Sequence, residues 1–315
     1  MEQEQQQSLK YYWGNTPEEQ DYYKLNNITS TSSFFKSPRN LSLYSKQWLP
    51  LSPPRGIICM VHGYGNDISW TFQSTAIFLA RNGYACFALD MEGHGRSEGL
   101  KAYVPNVNDV VNDYVTYFNT VIEINDNLLD LPKFLFGESM GGAICLLIAS
   151  VKKEFFTGAI LIAPMVKISD KVRPRWPIPE ILMFVSKFAP TLAIVPTEDL
   201  VVKSVKVPEK RIIGAMNPNR YRGKPRLGTV MELLRVTDYL SSRLSEVSIP
   251  FIVLHGDADS VTDCNVSKEL YECAKSEDKS LKIYEGMMHS LLFGETDENV
   301  EIVRGDILAW LSDRC

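Results

Sequence analysis

No apolar run in this sequence approaches the roughly 18 residues that a transmembrane helix requires, so any membrane contact is expected to be peripheral. The first seven residues carry neither a basic stretch nor an apolar one, which argues against a secretory signal and for a cytoplasmic location. Excess positive charge is missing too. With 33 Lys+Arg against 38 Asp+Glu, the formal net charge is −5, and there is no electrostatic case for nucleic acid as a partner. Cysteine is sparse and scattered: Cys59, Cys86, Cys145, Cys264, Cys273 and Cys315 lack metal-ligand spacing and are expected as buried thiols in a reducing compartment rather than as disulfides. No His/Asp/Glu cluster with metal spacing, repeat or low-complexity segment is present, and no metal or cofactor is expected.

What remains is an ordinary globular composition, 45% hydrophobic and 23% charged over 315 residues, enough for one large core or two modest ones. After a polar extension (1–27), in which Tyr11, Tyr12 and Trp13 are expected to pack on the body, residues 28–35 and 41–49 read as an antiparallel hairpin. Residues 56–61 form a continuous apolar run, the pattern of a strand covered on both faces. From there strands and helices alternate: helix 69–82, strand 84–89, helix 107–124, strand 133–136, helix 142–151, strand 158–162. Such alternation predicts a doubly wound, mostly parallel α/β sheet, with the site beyond the C-terminal strand ends.

The rhythm lapses over 164–240, a stretch rich in Pro, Arg, Lys and Met that reads as a cap inserted over the site, with short helices at 180–188 and 231–240. It resumes at 241–315 with strands 250–254 and 280–284 and helices 267–274 and 300–311. The core is thus expected in two parts, 28–163 and 241–315. In the 180–188 helix, Ile181, Leu182, Phe184, Val185 and Phe188 share a face. That face either packs on the main domain or lines a substrate pocket, for which Ile181, Phe184 and Phe188 are the candidates.

Chemistry concentrates at Gly137-Glu138-Ser139-Met140-Gly141, between an apolar strand and an apolar helix. In a G-x-S-x-G turn the serine occupies a strained conformation at a strand end, and flanking glycines avoid collision between strand and helix. The helix N-terminus favours negative charge, as on an oxyanion. A serine hydroxyl needs a base, usually a histidine oriented by a carboxylate. Only four histidines exist. His62 follows the first core strand, His94 lies in a turn and His255 ends a strand, which leaves His289, after the last strand, as the candidate base. The carboxylate is expected from the loop after residue 254, where Asp257 and Asp259 compete and spacing does not separate them. The order Ser, Asp, His is that of α/β-hydrolases.

Six segments together carry a specific resemblance: Tyr12-Trp-Gly-Asn-Thr-Pro-Glu-Glu19, His62-Gly-Tyr-Gly65, Gly93-His-Gly-Arg-Ser-Glu-Gly99, Gly137-Glu-Ser-Met-Gly141, His255-Gly-Asp-Ala-Asp-Ser-Val-Thr262 and Gly286-Met-Met-His-Ser290. In these the chain resembles the monoacylglycerol lipase group of the α/β-hydrolase superfamily, especially its plant branch, which also holds caffeoylshikimate esterase-like enzymes. The resemblance implies an α/β-hydrolase fold of about eight strands with a helical cap. It also implies Ser139, Asp259 and His289 as catalytic residues, the N–H groups of Tyr64 and Met140 as the oxyanion hole, and no cofactor. His94 and Arg96 match a structural turn. Animal monoglyceride lipases commonly continue with Gly-Glu-His where this chain has Gly65-Asn66-Asp67, so their alcohol-side contacts are not carried over. The implied substrate is a monoacylglycerol, its acyl chain under the cap, with peripheral membrane contact through that cap. The alternative is an ester (or acyl transfer) of phenolic acids such as caffeoyl shikimate, and a further one is a small-molecule receptor on a hydrolase fold.

Overall fold

The computed structural model describes residues 19–168, 178–195 and 199–315. The expected packing of Tyr11, Tyr12 and Trp13, most of the Tyr12–Glu19 motif, and residues 169–177 and 196–198 of the 164–240 stretch lie outside the described residues.

A short helix, α1 (Glu19–Leu25), leads into β1 (Ile28–Lys36) and β2 (Ser42–Pro50). These pair antiparallel from Ile28 opposite Pro50 to Lys36 opposite Ser42. Asn40 turns the hairpin at φ 63°, a left-handed conformation that asparagine tolerates better than most residues. Then follow β3 (Gly56–Val61), α2 (Gln73–Arg81), β4 (Tyr84–Leu89), α3 (Val107–Glu123), β5 (Lys133–Glu138), α4 (Met140–Val151) and β6 (Gly158–Ile162). Among the described residues, four α-helices lie between β6 and the next strand: α5 (Ile178–Phe188), α6 (Leu200–Ser204), α7 (Pro208–Ala215) and α8 (Leu227–Ser241). The chain closes with β7 (Phe251–Gly256), α9 (Cys264–Cys273), β8 (Lys279–Tyr284) and α10 (Asp297–Ser312).

All eight strands form one sheet in the order β1-β2-β4-β3-β5-β6-β7-β8, antiparallel at β1/β2 and β2/β4 and parallel elsewhere. Strands β3, β4, β6 and β7 are buried at every position, as parallel strands covered on both faces must be. Side chains alternate between two cores. Ile57, Cys59, Leu135, Leu161 and Val253 pack with α3, α4, α8 and α9 on one face. Ile58, Met60, Phe136, Ile160 and Leu254 pack with α2 and α10 on the other.

Several elements differ from expectation. Helix α2 begins at Gln73 rather than 69 because the Asp67 carboxylate accepts from the Ser69 N–H and hydroxyl, holding 67–69 in a turn. Helix α4 starts at Met140, directly after the serine. Helices α1, α6 and α7 have seven, five and eight residues, too short for a periodic apolar signal, and they form through tertiary packing. All six cysteines are free; Cys59, Cys86 and Cys145 are buried as expected, whereas Cys273 and Cys315 are exposed, since α9 presents Cys273 at its C-terminal end.

The stretch after β6 is not one layer. Val236 and Leu240 of α8 join the sheet's core, whereas α7 reaches the loop after β3: Trp70 Nε1–H donates to the Ile213 carbonyl at 2.8 Å, and the Asn217 amide just beyond α7 donates to buried Asp67. These bonds hold part of the insertion over the C-terminal edge of the sheet. Among the described residues, no helix is long and apolar enough to cross a membrane.

Candidate active site

Strand β5 runs into α4 with no intervening loop, and Ser139 makes the whole turn at φ 54°, ψ −117°. A non-glycine residue there costs on the order of 1–3 kcal/mol and persists only where its surroundings over-determine it. Here its N–H donates to the Ile162 carbonyl (2.9 Å), and its own carbonyl accepts from the N–H groups of Gly142 (3.0 Å) and Met165 (3.0 Å). The flanking glycines are steric necessities: a Cβ at Gly137 would lie 2.5 Å from the Gly141 carbonyl oxygen, and one at Gly141 only 2.1 Å from that of Val61.

Across the same sheet edge, the loops after β7 and β8 bring Asp259 and His289 together. His289 Nδ1–H donates to Asp259 Oδ2 at 2.6 Å, leaving Nε2 with a free lone pair. The Asp259 carboxylate has no solvent exposure and is fully hydrogen-bonded. Oδ1 accepts from the N–H groups of Val261 (2.7 Å) and Thr262 (3.0 Å), and Oδ2 also accepts from the Thr262 hydroxyl (2.8 Å) and His255 Nε2–H (3.1 Å). Burial alone would raise its pKa; hydrogen bonds from His255 and His289, and their positive potential, outweigh burial and hold the carboxyl well below the usual range. Asp257 does something else. It is exposed and accepts from the Gly286 N–H (2.6 Å), bracing the turn that leads to His289.

His62, His94 and Arg96 lie in the fold's bracing. His62 is fully buried, donates from Nδ1 to the Gly63 carbonyl (2.8 Å) and accepts at Nε2 from the Met91 N–H (3.1 Å), and burial pushes its pKa down to about 4. His94 donates to the Glu92 carbonyl (2.9 Å) and is pushed by burial down to about 3, while the Arg96 guanidinium stacks on the Tyr44 ring. The loop containing Gly63 and Tyr64 lies directly against the serine: a Cβ on Gly63 would sit 3.4 Å from that of Ser139. Met140 is the first residue of α4, so its N–H has no acceptor within the helix.

Ser139, Met140, Tyr64 and His289 all line one cavity of about 730 Å³. Ile181, Phe184 and Phe188, expected as pocket residues, do not; they are exposed at 56, 63 and 77%. Helix α5 packs on α8, and in it Leu182 and Val185 are half-buried while those three face solvent. Helical periodicity defines an apolar stripe but not which side of it meets protein. The cavity is lined instead by Ile162, Met165, Leu233, Leu291 and Phe293, together with polar residues of the segment between α7 and α8. His255 and Thr262 were also missed as partners of Asp259, although both lie in the His255–Thr262 motif; their roles appear only when that loop closes on itself.

Glu138, the residue before the serine, lines the cavity. Burial, opposed by no hydrogen bond or charge, pushes its carboxyl up to about 7. The native state therefore holds this proton between about pH 4.5 and 7, whereas the unfolded chain has released it, and stability declines as pH rises through that window. Glu138→Gln is expected to gain stability relative to wild type by roughly 2 kcal/mol between pH 4.5 and 7.5. Paired thermal melts across that range check this, and a constant difference would place the Glu138 pKa near 4 in the fold.

A sheet of this order, with a strained serine turn at the edge of β5 and a buried Asp–His pair at the edges of β7 and β8, defines a serine hydrolase of the α/β-hydrolase class. The family model described as "Serine aminopeptidase, S33" matches residues 52–297, and the chain belongs to that family. It is 43% identical over 305 residues to the caffeoylshikimate esterase of Arabidopsis thaliana, covering 96% of this chain and 91% of the relative. To the monoglyceride lipase of Homo sapiens it is 31% identical over 274 residues, covering 86% and 87%. The structure of a soluble variant of the Saccharomyces cerevisiae monoglyceride lipase with a substrate analogue superposes with a TM-score of 0.79 at 23% identity, over 90% of this chain and 94% of that one. This chain is a carboxylic ester hydrolase.

Proposed function

We propose that the enzyme cleaves esters of hydroxycinnamic acids, such as caffeoyl shikimate, through an acyl-enzyme on Ser139. The observation that carries this reading is the higher identity, over nearly the whole chain, to the caffeoylshikimate esterase than to the human monoglyceride lipase. It displaces the monoacylglycerol reading favoured by the motifs. The outward placement of Ile181, Phe184 and Phe188 agrees, since it removes from the cavity the three apolar side chains expected to line a fatty acyl pocket. It leaves those residues as the surface through which peripheral membrane contact would be made.

In this reading the Ser139 hydroxyl attacks the ester carbonyl while His289 Nε2 takes its proton, and Asp259 holds the ring and stabilises the imidazolium. The Tyr64 and Met140 N–H groups receive the oxyanion; one such donor is worth about 10²–10³ in rate. The carbon–oxygen bond to the alcohol breaks, and the alcohol leaves with the proton from His289. Water, deprotonated by the same nitrogen, then cleaves the acyl-enzyme and releases the acid.

The test is steady-state hydrolysis of caffeoyl shikimate and of a 2-monoacylglycerol side by side. The caffeoyl ester is expected to have the larger kcat/KM by at least about tenfold, a difference of roughly 1.4 kcal/mol in transition-state binding. The opposite order would return the assignment to a monoacylglycerol lipase.

A further inference from the structure

The segment Arg220-Tyr-Arg-Gly-Lys-Pro-Arg226 places four cations in seven residues with no acid, in a chain whose net charge is −5. Two of the four are already engaged. Arg220 pairs with Asp199, and the Arg226 guanidinium donates to the carbonyls of Lys101 (3.0 Å) and Thr191 (2.7 Å). Arg222 and Lys224 are different. Both line the cavity that contains Ser139 and His289, both are exposed, and neither has an acidic partner among the described residues. Arg222 is positioned by one bond, from Nη2 to the Ala215 carbonyl at the end of α7 (2.9 Å), which leaves its other donors free. Among the described residues, the carboxylates lining the same cavity are Glu138 and Asp199, one beside the serine and the other already paired with Arg220.

We infer that Arg222 and Lys224 form a carboxylate subsite at the cavity mouth, which selects esters whose alcohol portion is an acid anion. This rests on the hydroxycinnamoyl-ester reading and adds to it the group that distinguishes the alcohol. The acyl group stays bonded to Ser139 after the first step, while the alcohol must leave to water, so the open, cationic side of the cavity suits the alcohol. Guanidinium and ammonium groups recognise a carboxylate by charge-assisted hydrogen bonds. At a solvent-exposed position such pairs are worth modest factors and are screened by salt. A monoacylglycerol, with a neutral alcohol, would gain nothing from them.

The experiment compares caffeoyl shikimate with its carboxyl methyl ester, identical except for the anion, using wild type and the Arg222→Gln/Lys224→Gln double variant at low and high salt. Wild type is expected to prefer the anion by about tenfold in kcat/KM at low salt, mainly through KM, and less at high salt. The double variant is expected to bring the ratio near one without losing activity on the methyl ester. A wild-type ratio near one overturns the subsite; so does an equal loss on both esters, which would mean that the loop only shapes the cavity. Should neither caffeoyl ester turn over, the substrate reading fails separately. The subsite is then read from inhibition of 4-nitrophenyl acetate hydrolysis by free shikimate against its methyl ester, and equal inhibition overturns it.

Discussion

Ser139→Ala is expected to lower ester hydrolysis by on the order of 10⁴-fold or more while leaving the fold unchanged. The large effect follows from the division of labour at the edge of the sheet. The turn at φ 54° is held by three backbone hydrogen bonds, at Ile162, Gly142 and Met165, none of which involves the hydroxyl. Alanine keeps those bonds, inherits the same backbone strain and loses only the hydroxyl. The measurement is kcat/KM on caffeoyl shikimate and on 4-nitrophenyl acetate, with a thermal melt of the same preparation. Turnover above about one-hundredth of wild type, with the melt unchanged, would falsify the assignment of Ser139 as nucleophile.

The second large effect concerns the two aspartates of the β7 loop. Asp259→Asn is expected to reduce kcat by about 10⁴-fold, as when the partner of a triad histidine loses its charge and the ring adopts the wrong tautomer. Asp257→Asn is expected to cost less than about tenfold, because Asp257 supports only the Gly286 amide at the surface. Stability should separate them as well. Asp259 accepts hydrogen bonds from the Val261 and Thr262 amides, the Thr262 hydroxyl, His255 and His289. An amide cannot accept at both atoms, so at least one buried donor goes unpaired, at a cost of about 1–3 kcal/mol. Kinetics and melts of the two variants, measured together, check the order. A larger loss for Asp257→Asn would show that the other carboxylate orients the base.

These expectations share a dependence on loops rather than on the sheet. Ser139 is fixed by the strand and helix on either side of it. Asp259 and His289 are fixed by a network that includes His255, whose Nδ1 accepts from the buried Ser267 hydroxyl (2.7 Å) in α9. A change at Ser267 therefore reaches the Asp259 carboxylate through one ring. The loop carrying Tyr64 is tied by Asp67 to Asn217, beyond α7, so a buried hydrogen bond joins the edge of the sheet to the inserted helices.

Local patterns in the chain specify most of the architecture and the serine turn. The strands at Gly56–Val61, Tyr84–Leu89 and Gly158–Ile162 were legible to the residue because a strand covered on both faces is apolar at consecutive positions, a signal local in the chain. The Ser139 turn was legible because strand, serine, glycines and helix are contiguous. The choice between Asp257 and Asp259 was not decided by spacing, since only Ala258 separates them and the hydrogen bond to His289 crosses from one loop to another; only the resemblance pointed to Asp259. Tertiary structure alone decided three further matters. It closed His255 and Thr262 onto Asp259, turned Ile181, Phe184 and Phe188 outward when α5 packed on α8, and carried Arg222 and Lys224 to the cavity. Each depends on which long-range partner a segment meets. A periodic pattern reports that a face is apolar, and a charge run that a segment is basic, but the partner is set by the packing of distant parts of the chain.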